Sequence, residues 1–236
     1  MKIWAALTLL LSMNGAFAAD PLVSAREEME LHGRLGLIPG PAGQVEKIDG
    51  APKVTRAGEG KASKSGLPLG STVNQGDKIV TEEKARVHVR FRDKTYIEMD
   101  RMSAFSPERV RRGADRESDR KDESIFRYYY GFVRVTAPSV EPWVRYYVKH
   151  NERVLLLEGP SDFFLTLNEA NQDLIIHVRK GKAWLVSATR GMKTEIPEGA
   201  SRQIRRDNTI KELKLLSARE VALMRERTTI RVSKGE

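Results

Sequence analysis

Residues 70–103, GSTVNQGDKIVTEEKARVHVRFRDKTYIEMDRMS, decide the fold. Ala85, Val87, Val89 and Phe91 alternate with Arg86, His88, Arg90 and Arg92. A period of two is that of a β-strand with one dry face, and here the other face is cationic. Ile97 and Met99 continue the pattern beyond Asp93-Lys94-Thr95, so a second strand returns. A two-residue turn at 93–94 would set Arg90 opposite Ile97 and mix the faces. A three-residue loop at 93–95 keeps them apart, with Phe91 opposite Ile97 and Val89 opposite Met99. Lys94 is then expected to take a positive φ. Gly76-Asp77 supplies a turn before the strand, and Thr81 marks the exit from Ile79-Val80.

Outward from this stretch, strands are predicted almost everywhere from residue 54 to residue 205. The apolar runs are IFRYYYGFVRVTA, WVRYYVKH, RVLLLEG, DFFLTL, DLIIHVRKGKAWLVSA and TEIPEGASRQI. Gly131, Gly159, Gly181 and Gly199 punctuate them as turns. Residues 107–124 are mixed charge with little apolar content and read as a loop. Residues 34–53 are rich in Gly and Pro and read as a linker. A helix is expected over 19–33, with Ser24 and Glu27 at capping-box spacing and Gly33 as its stop. A second is expected from Ala218 to Arg227, capped by Ser217 and Glu220, with Leu216, Val221 and Leu223 or Met224 inward. The remaining tail is assigned to 206–236.

The chain opens MKIWAALTLLLSMNGAFA. One Lys, a short apolar run and Ala16-Phe17-Ala18 form a secretory leader, residues 1–18, with cleavage expected before Ala19. An uncleaved anchor is the alternative, disfavoured because Asn14 and Gly15 end the apolar run early. A periplasmic or secreted address follows. There are no cysteines, which excludes disulfides, thiol nucleophiles and lipid attachment at a cysteine. The fold must rest on a hydrophobic core. The net charge of +9, in an exported protein, points to anionic envelope polymers, lipid head groups or an acidic partner protein rather than nucleic acid.

These residues resemble the FecR domain family. The first half matches through Leu69-Gly70, Gly76-Asp77-x-Ile79-x-Thr81, then Ala85-x-Val87-x-Val89-x-Phe91-x-Asp93-x-Thr95-x-Ile97-x-Met99 and Ser103. In the second half Gly131-Phe132-Val133-Arg134 is similar to a family strand, Val178 to Leu185 to a hairpin around Gly181, and Glu198-Gly199-Ala200 to a closing element. Asp93-Lys94 stands where the family has Asp-Gly, and Gly159-Pro160 where it has Gly-Thr. The resemblance covers roughly 54–205. It implies a single all-β domain of antiparallel sheets, stacked or solenoid-like, with short helices at either end. The family's best-known members are inner-membrane sensors relaying siderophore signals to a sigma factor. That role implies an anti-sigma segment and a membrane helix, for which this sequence offers no candidate beyond the leader.

Two groups of side chains are candidate binding residues. The row Arg86, His88, Arg90 and Arg92 would attract anions, or guard a sheet edge. Arg127, Tyr129, Arg134 and Arg145 lie in an aromatic-rich stretch suited to sugar stacking or protein contact, against which stands ordinary strand packing of tyrosines. The histidines His32, His88, His150 and His177 lack metal-ligand spacing, and His88 is expected at the surface. No nucleophile elbow or phosphate loop occurs. Asp119, Asp122 and Glu123 read as solvated acids. No catalytic residue, metal or cofactor is expected. The leading expectation is a non-enzymatic envelope binding or scaffold protein. A FecR-type signalling regulator is the second, and an envelope hydrolase with paired carboxylates the third.

Overall fold

The computed structural model describes residues 40–57, 64–110, 123–138, 145–168, 171–187 and 193–230. The expected leader, the 19–33 helix and residues 111–122 of the 107–124 charged stretch therefore lie outside the described residues. Among the described residues the chain is all-β with one short carboxy-terminal helix, and its strands form one curled, mostly antiparallel sheet.

That sheet has two arms. The first contains β2 (Lys53–Thr55), β3 (Lys64–Gly66), β5 (Lys78–Thr81), β8 (Ser103–Arg109), β9 (Glu123–Tyr130) and β11 (Arg145–His150), in the order β3-β2-β5-β8-β9-β11. The second contains β1 (Pro41–Asp49), β4 (Thr72–Asn74), β6 (Arg86–Phe91), β7 (Tyr96–Met99) and β10 (Phe132–Ala137), in the order β10-β7-β6-β1-β4. Both arms start from β12 (Arg153–Asn168). Its first half pairs with β11 and its second half with β10. β13 (Asp173–Ser187) follows β12 along its other side, with a bulge between Glu158 and Asp162. β14 (Lys193–Ile196) and β15 (Ala200–Ile204) then pair with opposite halves of β13. β16 (Lys214–Leu215) borders β15, and the helix α1 (Ala218–Thr228) follows.

The arms close on a shared core. Val87, Val89 and Phe91 are at most 2 % exposed, as are Ile97, Met99, Ile79, Phe105, Phe126 and Tyr146. The Phe91 ring, from the second arm, lies 5.2 Å from that of Phe126 in the first. The alternation read from the sequence is thus the alternation that fills the interior. Tyr128 joins the core and Tyr130 packs at its border, while Tyr129 takes the opposite face.

The β6–β7 register differs from expectation by two residues. Val89 faces Ile97 and Val87 faces Met99. The loop is 92–94, closed by the Phe91 N–H donating to Thr95 O at 2.8 Å. Asp93 explains the choice, because its Oδ1 accepts from the Thr95 N–H at 2.8 Å and so fixes the turn one residue early. Lys94 has φ 69°. An even shift leaves every side chain on its expected face.

Other readings need correction. Residues 41–49, expected in a linker, form β1 between β4 and β6. Its central Val45 is 1 % exposed. Residues 107–109, expected in a loop, end β8. Glu123, expected among solvated acids, begins β9 with its side chain buried. Gly159 and Gly181 are not turns: the chain runs through both inside β12 and β13. Gly181 has φ 82°, and a Cβ there would lie 2.5 Å from the Pro160 carbonyl oxygen. The pair bends the long hairpin where the arms diverge, and Pro160 fits because it lies in the bulge. The turn expected at Gly76-Asp77 is present, and it carries the chain from β4 in one arm to β5 in the other, with Asp77 accepting from the Asn74 N–H at 2.8 Å.

The capping box of α1 is present. The Glu220 N–H donates to Ser217 Oγ at 3.2 Å and the Ser217 N–H to Glu220 Oε2 at 2.9 Å. Leu216, Val221 and Met224 face Phe132 and Phe164, whereas Leu223 is 54 % exposed.

Candidate functional site beneath the carboxy-terminal helix

The helix lies on the outer face of the second arm. Strand positions opposite the core point there: Arg86, His88 and Arg90 on β6, Tyr96 and Glu98 on β7, and Arg134 on β10. The sequence places them together because each strand keeps its period of two. Asp162 on β12 and Arg179 on β13 complete the layer.

Nearly every charge in this layer is paired. Arg134 is bidentate to Asp162, with Nε–Oδ1 at 3.0 Å and Nη2–Oδ2 at 2.7 Å, and its Nη1 donates to Glu98 at 2.9 Å. Arg179 Nε donates to Asp162 at 2.6 Å. Burial pushes the Asp162 carboxyl up, but the two guanidiniums outweigh it and hold it below the usual carboxylate range. Arg86 donates to Asp100 at 3.0 Å. Arg90 pairs with Glu46. Arg92 donates to the carbonyls of Val110 and Pro41. Arg86 and Arg90 are therefore paired with acids, and Arg92 is hydrogen-bonded to carbonyls, of the same molecule. Since β6 lies between β1 and β7, it guards no edge either.

His88 corrects the sequence reading most sharply. It is 3 % exposed, under the end of α1. Its Nε2–H donates to the Thr228 carbonyl at 2.6 Å, so Nδ1 accepts from the Tyr96 hydroxyl at 3.0 Å. The Thr228 hydroxyl donates to Glu98 at 2.8 Å, and Arg227 donates to Asp100 at 3.1 Å while stacking 4.2 Å from the Phe132 ring. Burial lowers the His88 pKa against the opposing pull of the Thr228 carbonyl and Glu98. It pushes Tyr96 up to about 12, assisted by Glu46 and Glu98. Toward the other end of the helix, burial pushes His177 down to about 4.

A pH dependence follows. His88, His150 and His177 all have depressed values in the folded chain, caused first by burial. The unfolded chain then binds more protons below its ordinary imidazole value of about 6.5. The stability these groups contribute is complete above that value and is lost as pH falls, for His177 down to about 4. Each unit of depression is worth roughly 1.4 kcal/mol. Urea midpoints should fall between pH 7 and pH 4.5, and His177→Gln should flatten the decline. An unchanged slope in that variant would exclude His177 as a contributor.

The second group of candidates separates. Arg127, Tyr129 and Arg145 share the outer face of the first arm, beside buried Ile125, Tyr147 and Leu156. Arg134, expected with them, is in the other arm. Arg127 pairs with Glu108, which also holds Lys149 at 3.2 Å. Lys78 Nζ lies 4.2 Å above the Tyr129 ring. Arg145 is adjacent to Glu123 across the parallel β9–β11 pair. The acids Glu98, Asp100 and Asp162 were missed at the level of sequence. The first two carry a readable sign, since Tyr96, Glu98 and Asp100 occupy the outward positions facing the basic strand.

Among the described residues, no group of three or more His, Cys, Asp or Glu is placed to hold a metal ion, and no helix is long and apolar enough to cross a membrane. No family model matches the chain, and neither does any curated protein. Solved structures do. Crystal structures of a candidate anti-sigma factor from Parabacteroides distasonis ATCC 8503, at 1.65 Å and 2.50 Å resolution, are 13% and 14% identical, with TM-scores of 0.48 and 0.49. Each match covers 61% of this chain and 62% of that chain, so the chain spans less than two thirds of the length of the structures it resembles.

Proposed function

We propose that this chain is an exported, non-enzymatic scaffold of the cell envelope whose FecR-like β domain binds another protein. The observation that carries the reading is what the outward polar side chains do. On the second arm they clamp α1 to the sheet through His88–Thr228, Glu98–Thr228 and Arg227–Asp100, while Arg134–Asp162 ties neighbouring strands together, and they do not converge on an open cleft. Such a layer favours rigidity over chemistry. It also favours a protein partner over an anionic polymer or lipid head groups, because Arg86, Arg90, Arg127 and Arg134 already have internal acids. The leader at residues 1–18 supports export.

Retention of the purified mature chain on envelope fractions tests the reading. Binding should survive high salt and disappear after protease treatment of the fraction. Retention on protease-treated peptidoglycan or anionic vesicles that is lost with salt would replace the protein partner by a polymer or lipid. Amino-terminal sequencing should find Ala19 first. A chain retained whole in the inner membrane would favour a signalling regulator instead.

A further inference from the structure

β16 is an unusual sheet edge. It pairs only with β15 among the described strands. The Leu216 N–H donates inward to Gly199 O at 2.7 Å, and Lys214 faces Ser201 across the pair. Inward bonding alternates along an antiparallel ladder, so the N–H and C=O groups of Leu215 point to the open side. The side chains of Leu215 and Leu213 are exposed, at 75% and 39%. Leu215 lies opposite Ala200, which is fully buried, so it extends the core-facing side of the sheet past its last covered residue. Two other edges are blunted. β14 presents Lys193 over Trp184 and Glu195 to Lys182, and β4 has its Thr72 carbonyl closed by Arg56. The segment carrying β16 is basic, with eight Lys or Arg against four Asp or Glu between Arg202 and Ile230, of which Lys214 is paired with Glu220 and Arg227 with Asp100.

We infer that the β16 edge accepts an extended strand from a partner protein, one that alternates apolar side chains with acidic ones. Main-chain bonds to Leu215 would supply affinity, Leu213 and Leu215 the apolar contact, and Lys211 and Arg202 the preference for acids. This deepens the proposed function by naming the surface and the form of the partner, and rests on that reading for the partner being a protein.

The probe is a fluorescein-labelled peptide, Ser-Glu-Val-Thr-Val-Glu-Val-Glu-Ser, titrated into the full mature chain. Saturable anisotropy is expected, with amide shifts concentrated at residues 199–216. Leu215→Pro removes an outward N–H and the side chain while leaving the bonds to β15 in place. It should weaken binding about tenfold or more, and Leu215→Ser, which keeps the N–H, distinctly less. Melting temperatures establish that both variants fold. Equal binding by Leu215→Pro, or no saturation by the wild type, overturns the inference. So does a concentration-dependent dimer of the wild type that Leu215→Pro abolishes, since the occupant is then a second copy. If envelope retention persists in Leu215→Pro, the inference fails and the proposed function stands. If the peptide binds while envelope retention is absent, the reverse holds.

Discussion

Asp162→Ala should destabilise the protein by about 3–5 kcal/mol, the range for breaking a buried ion pair from one side. The Asp162 side chain is 2% exposed and receives Arg134 and Arg179 together. Without it, two guanidiniums face each other in a partly buried layer, and only Arg134 has Glu98 as a second acid. The large expected effect is the penalty of stranded charge and says little about the net worth of the intact network. Glu195→Ala provides the contrast. Its pair with Lys182 is 40% and 46% exposed, and should contribute well under 1 kcal/mol. Guanidinium unfolding with an unchanged m-value measures both. Similar losses in the two variants would mean that the layer beneath α1 is far wetter than its burial implies.

Gly131→Ala should cost about 3 kcal/mol or more, and is the second large effect expected. Gly131 has φ 94° and joins β9 to β10, which do not pair with one another but lie in different arms. A Cβ there would sit 2.3 Å from both the Met102 carbonyl oxygen and Ser103 Oγ. Ser103 cannot simply retreat, because its Oγ accepts from the Phe132 N–H at 2.9 Å. Gly199→Ala separates strain from clash. Gly199 also has a positive φ, 74°, but nothing lies within 4 Å of its Cβ position. It should lose only the backbone preference, about 1 kcal/mol. Equal midpoints for the two variants would show that the crossing between arms is not sterically locked.

Both effects arise at places where the sequence reads well locally and poorly over distance. Gly131, Gly159 and Gly181 all look like turns. Only Gly131 ends a strand, and even there the two strands go to separate arms. A glycine signals a special backbone angle, which serves a hairpin, a crossing or a bend equally. The outward face of β6 has the same ambiguity. Arg86, His88, Arg90 and Arg92 look like a free cationic strip until Glu46, Asp100 and carbonyl groups from other segments are placed beside them. Local spacing contains no information about partners 44 residues away, as in Arg90 with Glu46, or 140 away, as in His88 with Thr228.

The order of side chains alone determined that this is an all-β chain, which faces of β6, β7 and β9 are dry, where α1 begins and that Lys94 must adopt a left-handed backbone. Each depends on neighbours within a few residues, where period and capping chemistry act. Tertiary structure decided the rest: that 41–49 is a strand, that β12 and β13 bend through their glycines to serve both arms, that the arginines of the basic row find partners in distant segments, and that His88 is buried beneath a helix. Those outcomes depend on which distant groups meet, and burial sets that by closing two arms on one core.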